Sequence, residues 1–136
     1  CMGQYDHLHL TVVQKPEILV QINAAFQKAV GDPNVQVTYG APTVIYVSCK
    51  NEDEEIIKGC NAGVVMENML LEAADLGLGA VYLFGVSQVL FANEEITKLL
   101  QIPEGFRTVS AIAVGTSADA LQERTLGTDK ISTTTL

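Results

Sequence analysis

The sequence predicts one domain of mixed strand and helix, and three observations predict it. Short apolar runs over residues 43–48, 80–84 and 108–114 are each bounded by turn residues, as buried strands are. A stretch from about Asp53 to Leu76 is apolar almost all round and too long to be a strand. The chain is 136 residues long and 48% hydrophobic, enough for one core without a disulfide or metal staple.

The elements follow in order. Leu8 to Val13 is short, β-branched and flanked by polar residues, which reads as a strand. Pro16 opens a helix at the position where its missing N–H costs nothing, and Ile18, Leu19, Ile22, Ala25, Phe26 and Val30 recur at helical spacing. Gly31-Asp32-Pro33-Asn34 ends it. Val35 to Thr38 reads as a short extended piece, Gly40-Ala41-Pro42 as a turn, and Thr43 to Ser48 as a central strand.

Asn51 to Glu55 is acidic and reads as a helix start, with Asn51 as N-cap and Glu54 reaching back to it; a metal site is the weaker alternative. In the long helix that follows, Asn61, Asn68, Glu72 and Asp75 form one narrow polar stripe, and the rest is apolar or small. One sheet cannot cover such a helix, and a subunit interface is the natural second cover. Gly77 is the expected left-handed cap. Ala80 to Phe84 reads as a second strand broken by Gly85, Asn93 caps a short helix from Glu94 to Gln101, and Thr108 to Val114 is a third strand. Residues 117–136 are polar and Thr-rich, a tail or an arm on another subunit. No linker divides the chain, so residues 1–136 are read as one domain.

Composition narrows the function. A net charge of −8 opposes binding to nucleic acid. The three cysteines, Cys1, Cys49 and Cys60, form no C-x-x-C and imply a reducing compartment. With no apolar run long enough to span a bilayer and no signal peptide, a cytoplasmic protein away from membranes is the expectation. Gly77-x-Gly79 follows a helix and precedes a strand, the reverse of a dinucleotide-binding loop. His7 and His9, two apart, face the same way if both lie in a strand, either as a metal pair or as surface or interface histidines. No third ligand is at hand, so no metal is expected. Cys49 and Cys60 read as buried small hydrophobes rather than nucleophiles. No catalytic side-chain set emerges, which fits chemistry carried by a cofactor.

Ala41-Pro42-Thr43-Val44-Ile45, then Gly63 to Ala73 with Asn68-Met69 inside, then Leu76-Gly77-Leu78-Gly79, resemble the nitroreductase family. Ile102-Pro103-Glu104-Gly105-Phe106 and Ala111-Ile112-Ala113-Val114-Gly115 resemble its later L-P-E-G turn and strand end, so the likeness runs from about Leu8 to Ala118. The resemblance implies an α+β fold: a central, mostly antiparallel sheet with helices packed around it and a long buried helix at a homodimer interface. It implies FMN at that interface and an oxidoreductase passing reducing equivalents from NAD(P)H to nitroaromatic, quinone or similar acceptors. It places Leu83, Phe84 and Gly85 against the flavin ring, with an ordinary strand end as the alternative reading. It sets Arg124 on the phosphate, against a plain tail charge. Gln4 falls at the family's pyrimidine-site Asn, although Asp6-His7 stands where the family has Gln-Pro and Leu8 where Trp is common. The family's N-terminal Arg-x-Ser-x-Arg segment has no counterpart, so the chain reads as lacking the N-terminal arm. A non-catalytic relative that dimerises and binds another small ligand or partner is the alternative.

Overall fold

The computed structural model describes residues 3–90, 93–120, 123, 125, 127 and 130–136, without the side chains of Ser87, Gln88 and Leu90. Its centre is a four-stranded antiparallel sheet in the order β1-β2-β4-β3. The strands are β1 (Leu8–Val13), β2 (Thr43–Lys50), β3 (Gly79–Tyr82) and β4 (Phe106–Gly115), and the helices are α1 (Pro16–Val30), α2 (Glu55–Asp75), α3 (Phe84–Leu90) and α4 (Glu94–Leu99).

The two inner strands are apolar on both faces because both faces are covered. On one face Val13, Val44, Tyr46, Ala111 and Ala113 pack with Ile22 of α1, Val86 of α3 and Ile96 of α4. On the other, Val47 and Ile112 pack with Ala62 and Met66 of α2. Alternation of side chains along β2 separates the sets: Val44 and Tyr46 face α1, while Ile45 and Val47 face α2. The sheet therefore lies between α2 and the other three helices.

Local signals in the sequence hold where they are strong. β1 and the start of α1 at Pro16 fall at the expected residues, and Gly31 ends α1 with φ of 74°. Gly77 has φ of 70° and closes α2 with paired bonds, Gly77 N–H to Ala74 O at 3.1 Å and Leu78 N–H to Ala73 O at 2.8 Å. Asn93 caps α4, its side-chain oxygen accepting from the Ile96 N–H.

Six sequence expectations differ from the structure. α2 starts at Glu55 without a side-chain cap. Asn51 instead donates its N–H to Gly105 O at 2.7 Å and accepts from Lys58 Nζ at 2.9 Å, so tertiary partners displace the local cap. Residues 35–38 form turns rather than an extended strand. Two side chains one turn apart on α1 hold them: Asn23 Oδ1 accepts from Val37 N–H, and Gln27 Nε2 donates to Val35 O, both at 2.9 Å. β3 ends at Tyr82, and Phe84 and Gly85 open a helix rather than finishing a strand. Leu83, Val86 and Val89, three residues apart, all turn into the core, a helical repeat hidden in an apolar run.

Cys60, expected inside, is exposed on α2 because the sheet covers only one side of that helix. Asn61 leaves the expected polar stripe and is buried, while Asn68, Glu72 and Asp75 stay exposed. His7 closes a short 3₁₀ turn (Tyr5–His7) rather than joining His9 in β1, so the two are not a strand pair. The His7 Nδ1 lies 2.7 Å from Asp53 Oδ1, and the His9 ring meets Phe106 edge-on.

Candidate functional site

The junction of β3 and α3 is built from the core outward. Leu83 is buried, and its N–H donates to Ala111 O at 2.7 Å, the last bond holding this stretch to β4. Its fixed position delivers Phe84 and Gly85 to the surface. Phe84 is 57% exposed, and a Cβ at Gly85 would meet nothing within 4 Å. Being the first residues of α3, they carry N–H groups with no acceptor inside the helix. The exposed Tyr82 ring lies 6.1 Å from that of Phe84, tilted by 59°.

These residues line a groove of roughly 240 Å³ with Tyr39 and Val37 on its other side. None of the described residues lining it carries a formal charge. The groove offers flat apolar surface, an open glycine and backbone donors, which suits one face of a planar ring.

The structure thus brings together three of the five residues expected at a site, Leu83, Phe84 and Gly85. Gln4 is exposed just before the Tyr5–His7 turn, beyond the start of β1. Leu8 pairs with Cys49 while Tyr82 pairs with Ile112, and β1 and β3 are opposite edges of the sheet. Three strand spacings, on the order of 14 Å, separate those edges, so Gln4 stands across the sheet from the Phe84 groove. Arg124 lies outside the described residues. Tyr39 was missed by sequence reasoning; its one signal was a tyrosine preceding Gly40-Ala41-Pro42.

A second polar region surrounds the start of α2. Lys58 is only 3% exposed, and its ammonium is held by Asn51 O and by Glu55 Oε1 at 3.1 Å. Glu55 also accepts from Arg107 of β4. Hydrogen bonds from Lys58 and then Arg107 hold the Glu55 carboxyl below its ordinary value of 4.5. Nearby, burial and then the Asp53 charge push the Cys49 thiol up to about 11, so it is no nucleophile. Among the described residues no group of three His, Cys, Asp or Glu side chains could hold a metal ion. This region ties β2, β4 and α2 together.

The sequence profile of the Nitroreductase family matches residues 5–116. This chain belongs to the nitroreductase family. Its fold agrees with solved members. A nitroreductase with bound FMN from Bacteroides fragilis NCTC 9343 superposes with a TM-score of 0.78 at 22% identity, covering 96% of this chain and 78% of that one. A nitroreductase with bound FMN from Desulfitobacterium hafniense DCB-2 gives 0.77 at 19% identity, covering 98% and 78%. An FMN-dependent nitroreductase from Clostridium difficile R20291 gives 0.75 at 21% identity, covering 98% and 81%. No curated protein matches the chain. Among the described residues, no helix of this nitroreductase-family chain is long and apolar enough to cross a membrane.

Proposed function

We propose that this chain is an FMN-dependent oxidoreductase that takes reducing equivalents from NAD(P)H and passes them to nitroaromatic, quinone or related acceptors. The family match over residues 5–116, with the open groove at Phe84 and Gly85, is the observation that carries the reading. FMN, when bound, supplies two-electron chemistry that no side chain here supplies.

The residues present fit the ring of that cofactor. Gly85 leaves open space where any side chain would stand, and Phe84 offers an exposed ring face. The first-turn N–H groups of α3 suit an electron-rich ring atom that gains charge on reduction. Leu83 touches no ligand in this scheme; it fixes the other two from the core. The phosphate needs a cationic partner that the groove itself lacks, and Arg124 is assigned to it by family resemblance.

The working form is a homodimer. Ile56, Cys60, Gly63, Val64, Glu67 and Leu71 share the uncovered side of α2, and Ile56, Val64 and Leu71 are large apolar side chains exposed there. Leu10 and Val12 of β1 extend the apolar surface on the same face of the sheet, past the edge of α2. Gly59 and Gly63 permit close approach of a second helix.

Desalting after mixing with FMN tests the reading. A protein that keeps visible flavin absorption and then oxidises NADH or NADPH supports it. The uncharged groove favours one second reading, a relative that keeps the scaffold without the cofactor. A colourless protein that still sediments as a dimer supports that alternative.

A further inference from the structure

Tyr39 is built as if to be used, yet the fold does not use it. Its side chain is 72% exposed, so it adds little to the core. Its backbone is left-handed, with φ of 55°, a conformation a tyrosine adopts at a cost that glycine avoids. The loop leaves it no choice. Val37 and Thr38, immediately before it, are buried, and Asn23 and Gln27 of α1 fix the backbone at Val37 and Val35. The Tyr39 N–H donates to Gln36 O at 3.1 Å, and the Ala41 N–H to Thr38 O at 2.9 Å. A strained residue held rigidly by its surroundings points to use outside the fold.

Its position says which use. Tyr39 lines the Phe84 groove and also a neighbouring groove of roughly 440 Å³ bordered by Pro42, Gly79, Gly115 and Ser117. It stands as a rib between the two. Tyr39, Tyr82 and Phe84 thus present three exposed rings around one uncharged groove.

We propose that Tyr39 is a specificity-determining residue that stacks on a planar, uncharged aromatic acceptor entering beside Phe84. This rests on the proposed oxidoreductase function for the role of the acceptor, but not for the binding itself. A rigid tyrosine suits such a task, since its ring offers a broad apolar face with few torsions left to freeze.

The chain contains no tryptophan, so Tyr39→Trp introduces a lone indole at the groove. Val20→Trp, on an exposed face of α1, serves as control. Titration of each full-length variant with nitrobenzene, with and without FMN, gives saturable quenching for Tyr39→Trp and only linear, collisional quenching for Val20→Trp. Identical linear curves for the two overturn the proposal. In the FMN-loaded protein, Tyr39→Ala raises KM for a naphthoquinone about tenfold, the loss expected for one aromatic stack. Tyr39→Phe restores KM, and the loss in Tyr39→Ala is smaller with ferricyanide, which offers no ring to stack on. An unchanged quinone KM, or an equal loss with ferricyanide, also overturns it. If the wild-type chain holds no FMN, the functional reading fails, and the quenching titration still decides the role of Tyr39.

Discussion

The N–H of Leu83 donates to the carbonyl of Ala111 at 2.7 Å, and this bond marks where β3 gives way to α3. It places a buried leucine directly before two surface residues, so the groove inherits its shape from the core. Leu83→Ala is expected to cost about 2–5 kcal/mol, the range for truncating a buried leucine. Urea denaturation measures the loss, and a midpoint unchanged from wild type would show that Leu83 is not the anchor.

Gln101 offers the opposite test. It closes α4 with φ of 53°, donating to Lys98 O at 3.1 Å, while Ile102 N–H reaches Thr97 O at 3.2 Å. This is the bonding that glycine normally completes. Gln101→Gly therefore stabilises the protein, by roughly 0.5–1 kcal/mol. A lower melting temperature in the variant would contradict the assignment.

Acid acts through Glu55. Its folded pKa lies below the unfolded value, so its contribution is present above the ordinary 4.5 and lost as pH falls through the folded value. Wild type is expected to melt above Glu55→Gln at neutral pH, and the gap to close at pH values below 4.5. The carboxylate is exposed, so added salt narrows the gap as well. A gap that persists in acid would assign the effect to packing.

Cysteine labelling reads both the core and the dimer. Cys49 is fully buried with its thiol pushed up to about 11, whereas Cys60 is exposed on the free side of α2. Mildly alkaline iodoacetamide should leave Cys49 unmodified until the protein unfolds. Cys60 should react in dilute protein and slow as concentration rises and the α2 faces pair. Labelling of Cys60 independent of concentration would count against an interface there.

What the sequence discloses divides by the range of the interaction that decides it. Pro16, Gly31, Gly77 and Asn93 act on backbone within a few residues, and each stands where the sequence predicts. Asn51 does not cap α2 because Gly105 and Lys58 take up its backbone groups, and local sequence does not show those partners. Phe84 looks like strand in sequence because an apolar run hides the helical period of Leu83, Val86 and Val89, which meet one core. The separation of Gln4 from Phe84 follows from the strand order β1-β2-β4-β3, which chain order does not reveal. The turn after Tyr39 is legible in Gly40-Ala41-Pro42, but its left-handed backbone is not, since Asn23 and Gln27 fix the preceding loop from a neighbouring helix.

Gly85 allows the most direct test of the central claim, that a flavin ring lies at the β3–α3 junction. It sits in the first turn of a helix with open space around it, so Gly85→Leu meets no neighbour and replaces a flexible glycine. The measurement is an equilibrium titration of FMN against wild type and Gly85→Leu, beside their melting temperatures. The variant is expected to have an equal or higher melting temperature and to lose FMN affinity. Equal FMN affinity in the two proteins would place the flavin elsewhere and contradict that claim.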